Sequence, residues 1–205
     1  MHIFKAYSRR AALAALLLLT AATVSAQGPD YPNKPVTVVV PFAAGGSVDS
    51  AARVVMQALG ERLKQSFVID NVAGASGTIG TQRVARAAAD GYTLLFAVAS
   101  PINVAPVVKP SMVQYDAAKD LAPIATVASS PFVLVANTKL PANTTAELVA
   151  LAKKQPLAYA SPGQGTSLHL AGELLNDAAG INMTHVPYKG DGPALQDVIG
   201  GRVPV

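Results

Sequence analysis

Short runs of consecutive apolar residues alternate along this chain with longer segments in which apolar residues recur every three or four positions. Val36-Thr37-Val38-Val39-Val40 is the densest short run. Its β-branched side chains, bounded by Pro35 and Pro41, predict a buried strand. From Ser47 onward apolar residues recur at Val48, Ala51, Ala52, Val55, Leu59 and Leu63, which predicts a helix with one face toward a core. Ser47 is its expected N-cap, and Asp49 is an acid in its first turn. Residues 67–69 predict a second strand, 78–88 a short helix, Asp90-Gly91 a turn, and 93–98 a third strand. Strand, helix, strand, helix, strand implies a parallel sheet with right-handed crossovers, and so an α/β fold class.

Residues 102–121 read as irregular, interrupted by Pro106 and Pro110, with a turn at Tyr115-Asp116. Two short strands are expected at 124–128 and 132–136, separated by Ser129-Ser130-Pro131. A domain boundary is placed there, giving α/β domains at 27–128 and 129–205. A second cycle then begins. It comprises a helix over 145–154 capped by Thr144 or Thr145, a strand over 157–160, a glycine-rich loop over 161–166, and a helix over 167–179 closed by Gly180. A strand over 183–186 follows, and then a helix opened by Pro193 that ends at Gly200-Gly201. Val203-Pro204-Val205 reads as a strand just beginning, which predicts that the working protein continues beyond it.

The first 26 residues follow a different pattern. Lys5, Arg9 and Arg10 precede an apolar run over 11–23, and Val24-Ser25-Ala26 places small residues where a signal peptidase cuts. Residues 1–26 are therefore read as a secretory signal peptide. The apolar run is shorter than the roughly 18–20 residues that span a bilayer. Ser8-Arg9-Arg10 supplies only part of a twin-arginine signature. This changes the charge picture. The chain is formally +4, and the leader's three cations, with no acid, account for all but +1 of it. The remainder has no basic run, so nucleic acid is not an expected partner. The absence of cysteine removes disulfides, thiolate metal sites and cysteine catalysis from consideration.

Two strand-to-helix loops share one design: Pro41-Phe42-Ala43-Ala44-Gly45-Gly46-Ser47 and Ser161-Pro162-Gly163-Gln164-Gly165-Thr166. Glycines let backbone approach a ligand closely. The first N–H groups of each helix lack internal partners and carry the positive end of the dipole, so such a loop binds carboxylate or phosphate without a charged side chain. Ser47, Ser161 and Thr166 add hydroxyls. The same residues also make ordinary capped turns, and either loop alone would be read that way. A third strand-to-helix loop, Tyr188-Lys189-Gly190-Asp191-Gly192-Pro193, offers a tyrosine that covers either a ligand or a domain edge, and a lysine whose nearer partner by sequence is Asp191.

Enzyme signatures are weaker. Gly163-Gln164-Gly165 begins like a dinucleotide fingerprint, but Leu168 stands in the third glycine's place. Gly45-Gly46-Ser47 lacks a phosphate-loop lysine, and no Gly-x-Ser-x-Gly elbow occurs after residue 26. His169 and His185 are read as structural, with a pairing in space left open. A secreted hydrolase of carboxylate or phosphate esters, using Ser161 or Asp49, is the alternative. No catalytic residue, metal or cofactor is expected.

Longer stretches carry a resemblance. They include Tyr31-Pro32-Asn33-Lys34-Pro35, Val39-Val40-Pro41-Phe42-Ala43-Ala44-Gly45-Gly46, Asp90-Gly91-Tyr92-Thr93-Leu94-Leu95 and Lys119-Asp120-Leu121-Ala122-Pro123-Ile124. Later come His169-Leu170-Ala171-Gly172-Glu173 and His185-Val186-Pro187-Tyr188-Lys189-Gly190. In this order and spacing they resemble the tripartite tricarboxylate transporter receptors, also called Bug receptors, of bacterial periplasms. The resemblance implies a periplasmic binding protein-like fold, with two α/β domains around a ligand cleft and a return segment beyond residue 205. It also implies a non-catalytic, monomeric receptor for a small organic acid, which delivers its ligand to membrane transporter subunits or reports to a sensor kinase. Carried over residue by residue, the ligand positions are Phe42, Ala43, Gly45, Gly46, Ser161, Gly165 and Thr166, and the design of the two loops adds Ser47 and Gly163. Ala73, Ser100 and Tyr188 come from neighbouring loops. Where the family usually has Arg-Pro-Gly-Ala-Gly-Gly, this chain has Val72-Ala73-Gly74-Ala75-Ser76-Gly77.

Overall fold

The computed structural model describes residues 31–205. The expected signal peptide, 1–26, lies outside the described residues. The first strand, β1 (Val36–Val40), is the centre of a parallel sheet. It is flanked on one side by β2 (Phe67–Asn71) and on the other by β3 (Thr93–Leu95), in register Val38↔Ile69 and Val38↔Leu94. Val36, Val38, Val39 and Val40 have no exposed surface, which explains the near-continuous apolar run. Burying each contributes about 1.5–3 kcal/mol. Helix α1 (Ser47–Leu63) packs on β1 and β2, and α2 (Thr78–Ala85) packs on β1 and β3. The buried face of α1 carries Val48, Asp49, Ala52 and Met56, matching the helical spacing in the sequence.

Two details differ from expectation. Gly46, not Ser47, is the N-cap of α1, and no side chain of its own caps this helix end. Glycine leaves room there for groups from elsewhere in the chain, described below. Strand β3 is three residues long instead of six, although Phe96 N–H still donates to Val39 O at 3.0 Å.

The region read as irregular contains single helical turns: a π turn over Ser100–Val104, α3 (Ala105–Val108), a 3-10 turn over Pro110–Met112 and α4 (Ala117–Asp120). Proline at the first turns of three of them removes a donor that is unpaired there anyway. Residues 124–128 and 132–136 do not form the predicted strands. They run exposed, with Phe132 at 60% and Val133 at 73% exposure, and no other described strand pairs with them. Apolar β-branched sequence is insufficient for a strand without a neighbouring ladder.

The second cycle follows its pattern. Helix α5 (Thr145–Ala152) begins in a capping box, with Thr144 Oγ1 accepting from Glu147 N–H and the Glu147 carboxylate accepting from Thr144 N–H. Strands β4 (Ala158–Ser161) and β5 (Thr184–Pro187) form a second parallel sheet, joined through α6 (Ser167–Ala179). Gly180 ends α6 in the left-handed region at φ 59°. Helix α7 (Asp191–Ile199) starts two residues before Pro193. The last residues are paired: Val205 O accepts from Ala160 N–H, and Val205 packs with Leu148, Leu157, Tyr159 and Met183. Every element named here lies in one compact unit, Lys34–Val205.

Candidate functional site

The two glycine loops leave the C-terminal ends of β1 and β4, the edge at which open parallel sheets bind ligands. The sequence alone does not reveal how each loop is held.

In the first loop, Phe42 is buried and its carbonyl accepts from Asn71 Nδ2 at 3.1 Å. Asp49 stands behind the loop, 3% exposed. Its Oδ2 accepts from Gly45 N–H (2.9 Å) and Arg53 Nε (2.9 Å), and its Oδ1 accepts from Asn71 Nδ2 (3.0 Å). Arg53 is the main cause that holds this carboxyl below its ordinary value; burial works against it. Asp49 is therefore a structural anion, fully bonded, and not placed as a base. The third loop docks here. Ala43 N–H donates to Lys189 O at 3.0 Å, and Ser47 N–H donates to Asp191 Oδ2 at 3.0 Å. The backbones interlock because glycine stands at each contact. A Cβ on Gly192 would lie 3.1 Å from Gly45 C and Gly46 N, and one on Gly190 would lie 3.1 Å from Ala43 N. Asp191 thus turns to the first loop and not to Lys189.

The second loop is held by neutral acceptors. Gly163 N–H donates to Ser161 Oγ (3.1 Å), Gly165 N–H to His169 Nδ1 (3.1 Å), Thr166 N–H to Gly163 O (3.3 Å) and Ser167 N–H to Ser100 Oγ (3.1 Å). Thr166 caps α6 by accepting from His169 N–H. Ser76 Oγ donates to Gln164 O at 2.5 Å, bringing the 72–77 loop onto the second loop. Lys109 Nζ donates to Gln164 Oε1, also at 2.5 Å. Ala73 is half-buried in that neighbouring loop. Tyr188 N–H donates to Ser161 O. Its hydroxyl donates to Asp197 Oδ2 at 2.7 Å, which raises the phenol's pKa and lowers the carboxyl's.

Beneath the second loop lies a cluster that sequence reasoning left open. The rings of His169 and His185 are 4.1 Å apart, and His185 stacks on Tyr159 at 5.0 Å. Ser161 Oγ is 2.6 Å from His185 Nε2. Tyr159 Oη donates to Glu173 Oε1 at 2.5 Å. Burial first, and then His169, push the His185 imidazole below its ordinary value. Part of the signal was present in the sequence, because Tyr159 and Ser161 stand two apart and share one face of β4; the register that sets Tyr159 opposite His185 belongs to the folded sheet. Among the described residues, no three His, Cys, Asp or Glu side chains gather as a metal-holding group. No described helix is long and apolar enough to cross a membrane.

A model of the tripartite tricarboxylate transporter family receptor matches residues 51–205. The chain belongs to this receptor family. Protein BugT of Bordetella pertussis is 42% identical over 186 residues, covering 89% of this chain and 56% of BugT. Among solved structures, R. palustris Rpa4515 with adipate is similar at 39% identity and a TM-score of 0.82. It covers 85% of this chain and 59% of that one. MatC from Rhodopseudomonas palustris with bound malate is similar at 34% identity and a TM-score of 0.76, covering 85% and 60%. The chain thus spans somewhat under two thirds of the length of these relatives. The α/β architecture is of the periplasmic binding protein type.

Proposed function

We propose that this receptor captures a small organic carboxylate in the periplasm and either passes it, chemically unchanged, to a tripartite tricarboxylate-type membrane transporter or reports its capture to a sensor kinase. The observation that carries the reading is the pair of glycine-opened loops at the C-terminal edges of both sheets, bridged by the Tyr188–Asp191 segment. Backbone N–H groups at a helix start bind an anion without a cationic side chain. Relatives solved with adipate and with malate support a carboxylate ligand. The contacting positions are Phe42, Ala43, Gly45, Gly46 and Ser47 on the first loop and Ser161, Gly163, Gly165 and Thr166 on the second. Ala73, Ser100 and Tyr188 complete the walls. Capture exchanges internal acceptors on these N–H groups for ligand oxygens. Domains at 27–128 and 129–205, closing about a hinge, would shield the ligand from water.

The test is thermal melting of the chain against a panel of small organic acids. A ligand at a hundred times its dissociation constant adds about 2.7 kcal/mol to the folded state. A shift confined to carboxylates supports the reading. A cooperative melt that no acid moves would sink it.

The short Ser161–His185 contact favours one second reading, a secreted ester hydrolase. Against it, Ser161 is 2% exposed and already bonded to Gly163 N–H.

A further inference from the structure

The two loops are chemically unequal. The first already holds two of the protein's own carboxylates on its N–H groups: Asp49 at Gly45 and Asp191 at Ser47. Arg53 neutralises Asp49. Asp191 forms none of the ion pairs found among the described residues. Its carboxylate lies against the start of α1, 144 residues away in sequence, in the place a ligand anion would take. A Cβ on Gly46 would overlap Asp191 Oδ1 and lie 3.2 Å from its Cγ, so the glycine makes room for this side chain. The second loop holds no carboxylate. Its N–H groups face a serine hydroxyl, an imidazole nitrogen, a carbonyl and a second hydroxyl, and Lys109 bonds to the Gln164 side chain in the same loop.

Exchange therefore has a different sign at each end. Replacing a neutral acceptor with a ligand carboxylate strengthens the hydrogen bonds, because charge-assisted bonds are roughly twice as strong as neutral ones. Replacing Asp191 with a ligand carboxylate gains nothing at Ser47, and it leaves two like charges side by side, which costs affinity. A hydrogen-bond donor on the ligand, above all an ammonium, meets Asp191 without displacing it.

On the receptor reading above, we propose that Asp191 is a specificity-determining residue. It fills the first loop with a built-in carboxylate, so the preferred ligand carries a single carboxylate for the second loop and a cationic or neutral donor toward the first. A dicarboxylate is selected against.

The experiment compares matched acids that differ only at one end: succinate with 4-aminobutanoate, and adipate with 6-aminohexanoate. Affinities are measured by calorimetry on the chain and on Asp191→Asn, which keeps an oxygen for Ser47 N–H. The proposal expects the amino acid of a pair to bind at least about tenfold tighter than its dicarboxylate, and the variant to shift that ratio toward the dicarboxylate by about tenfold. Equal or tighter binding of the dicarboxylate by the unaltered chain, with the ratio unmoved in Asp191→Asn, overturns the proposal and leaves the receptor reading intact. Binding of neither class, by a chain that melts cooperatively, overturns the receptor reading itself.

Discussion

Ser161 Oγ and His185 Nε2 lie 2.6 Å apart beneath the second glycine loop, and the same hydroxyl accepts from Gly163 N–H. The pair ties strand β5 to the loop that leaves β4. Ser161→Ala removes the acceptor from a buried N–H, which costs about 1–3 kcal/mol. A drop in melting temperature with weakened carboxylate binding is expected. Ester hydrolysis by the unaltered chain should equal the buffer rate. Turnover of nitrophenyl esters abolished by Ser161→Ala would show that the contact is catalytic and not structural.

The His185 environment fixes the direction of a pH effect. Burial and the neighbouring His169 hold its pKa below the ordinary 6.5, with Glu173 acting weakly the other way. The unfolded chain thus takes up a proton before the folded one as pH falls. Stability is fully present above about pH 6.5 and declines as pH falls from there toward the folded value. The melting temperature should fall between pH 7.5 and 5.5, and His185→Asn should flatten that slope. A melting temperature that rises on acidification through this window would contradict the half-buried, neutral imidazole. Asp49 acts at lower pH. Its depressed carboxyl contributes stability above the ordinary 3.8, and this is lost as pH falls below that value.

Much of this arrangement was legible in the sequence. The valine run of β1, the helical spacing after Ser47, a threonine cap at the start of α5 and the Gly180 stop all describe local physics, which the chain carries residue by residue. So were the two glycine loops. What closes them was not. Asp191 lies 144 residues from Ser47, and Ser76 lies 88 from Gln164. Periodicity has no access to contacts at that separation. The exposed 124–136 stretch departs from its β-rich sequence for a related reason. β-Propensity reports a fit to a pleated surface but does not supply the neighbouring strand.

Gly46 tests the first loop. Its φ of −85° is open to any residue, so alanine there carries no backbone strain. The added methyl would overlap the Asp191 carboxylate. Gly46→Ala should expel Asp191 from Ser47 N–H, and the melting temperature should fall. On an Asp191→Gly background the same substitution should cost little or nothing further, because the obstruction is gone. Additive losses in a double-mutant cycle would show that the two positions do not touch.

Gly172 and Gly180 separate two reasons for a glycine on one helix. In the interior of a helix alanine usually stabilises by about 0.5–1 kcal/mol over glycine. At Gly172 the sign should reverse. A Cβ there would come 2.6 Å from Cζ and 2.9 Å from Cδ2 of Tyr159, whose ring is buried at 4% exposure between α6 and His185. Overpacking of this kind costs about 1–3 kcal/mol. Tyr159 cannot yield freely, because its hydroxyl is bonded to Glu173 and its ring is stacked on His185. At Gly180 nothing lies within 4 Å of an added Cβ, and the whole cost is the left-handed backbone at φ 59°. Gly180→Ala should therefore lose about 1–2 kcal/mol, and Gly180→Asn less, because asparagine tolerates that conformation. Denaturant unfolding of the three variants decides the matter. The expected pattern is Gly172→Ala destabilised in spite of its helical position, with Gly172→Ala/Tyr159→Leu relieving the clash. A stabilised Gly172→Ala would mean that Tyr159 does not pack against this face of α6.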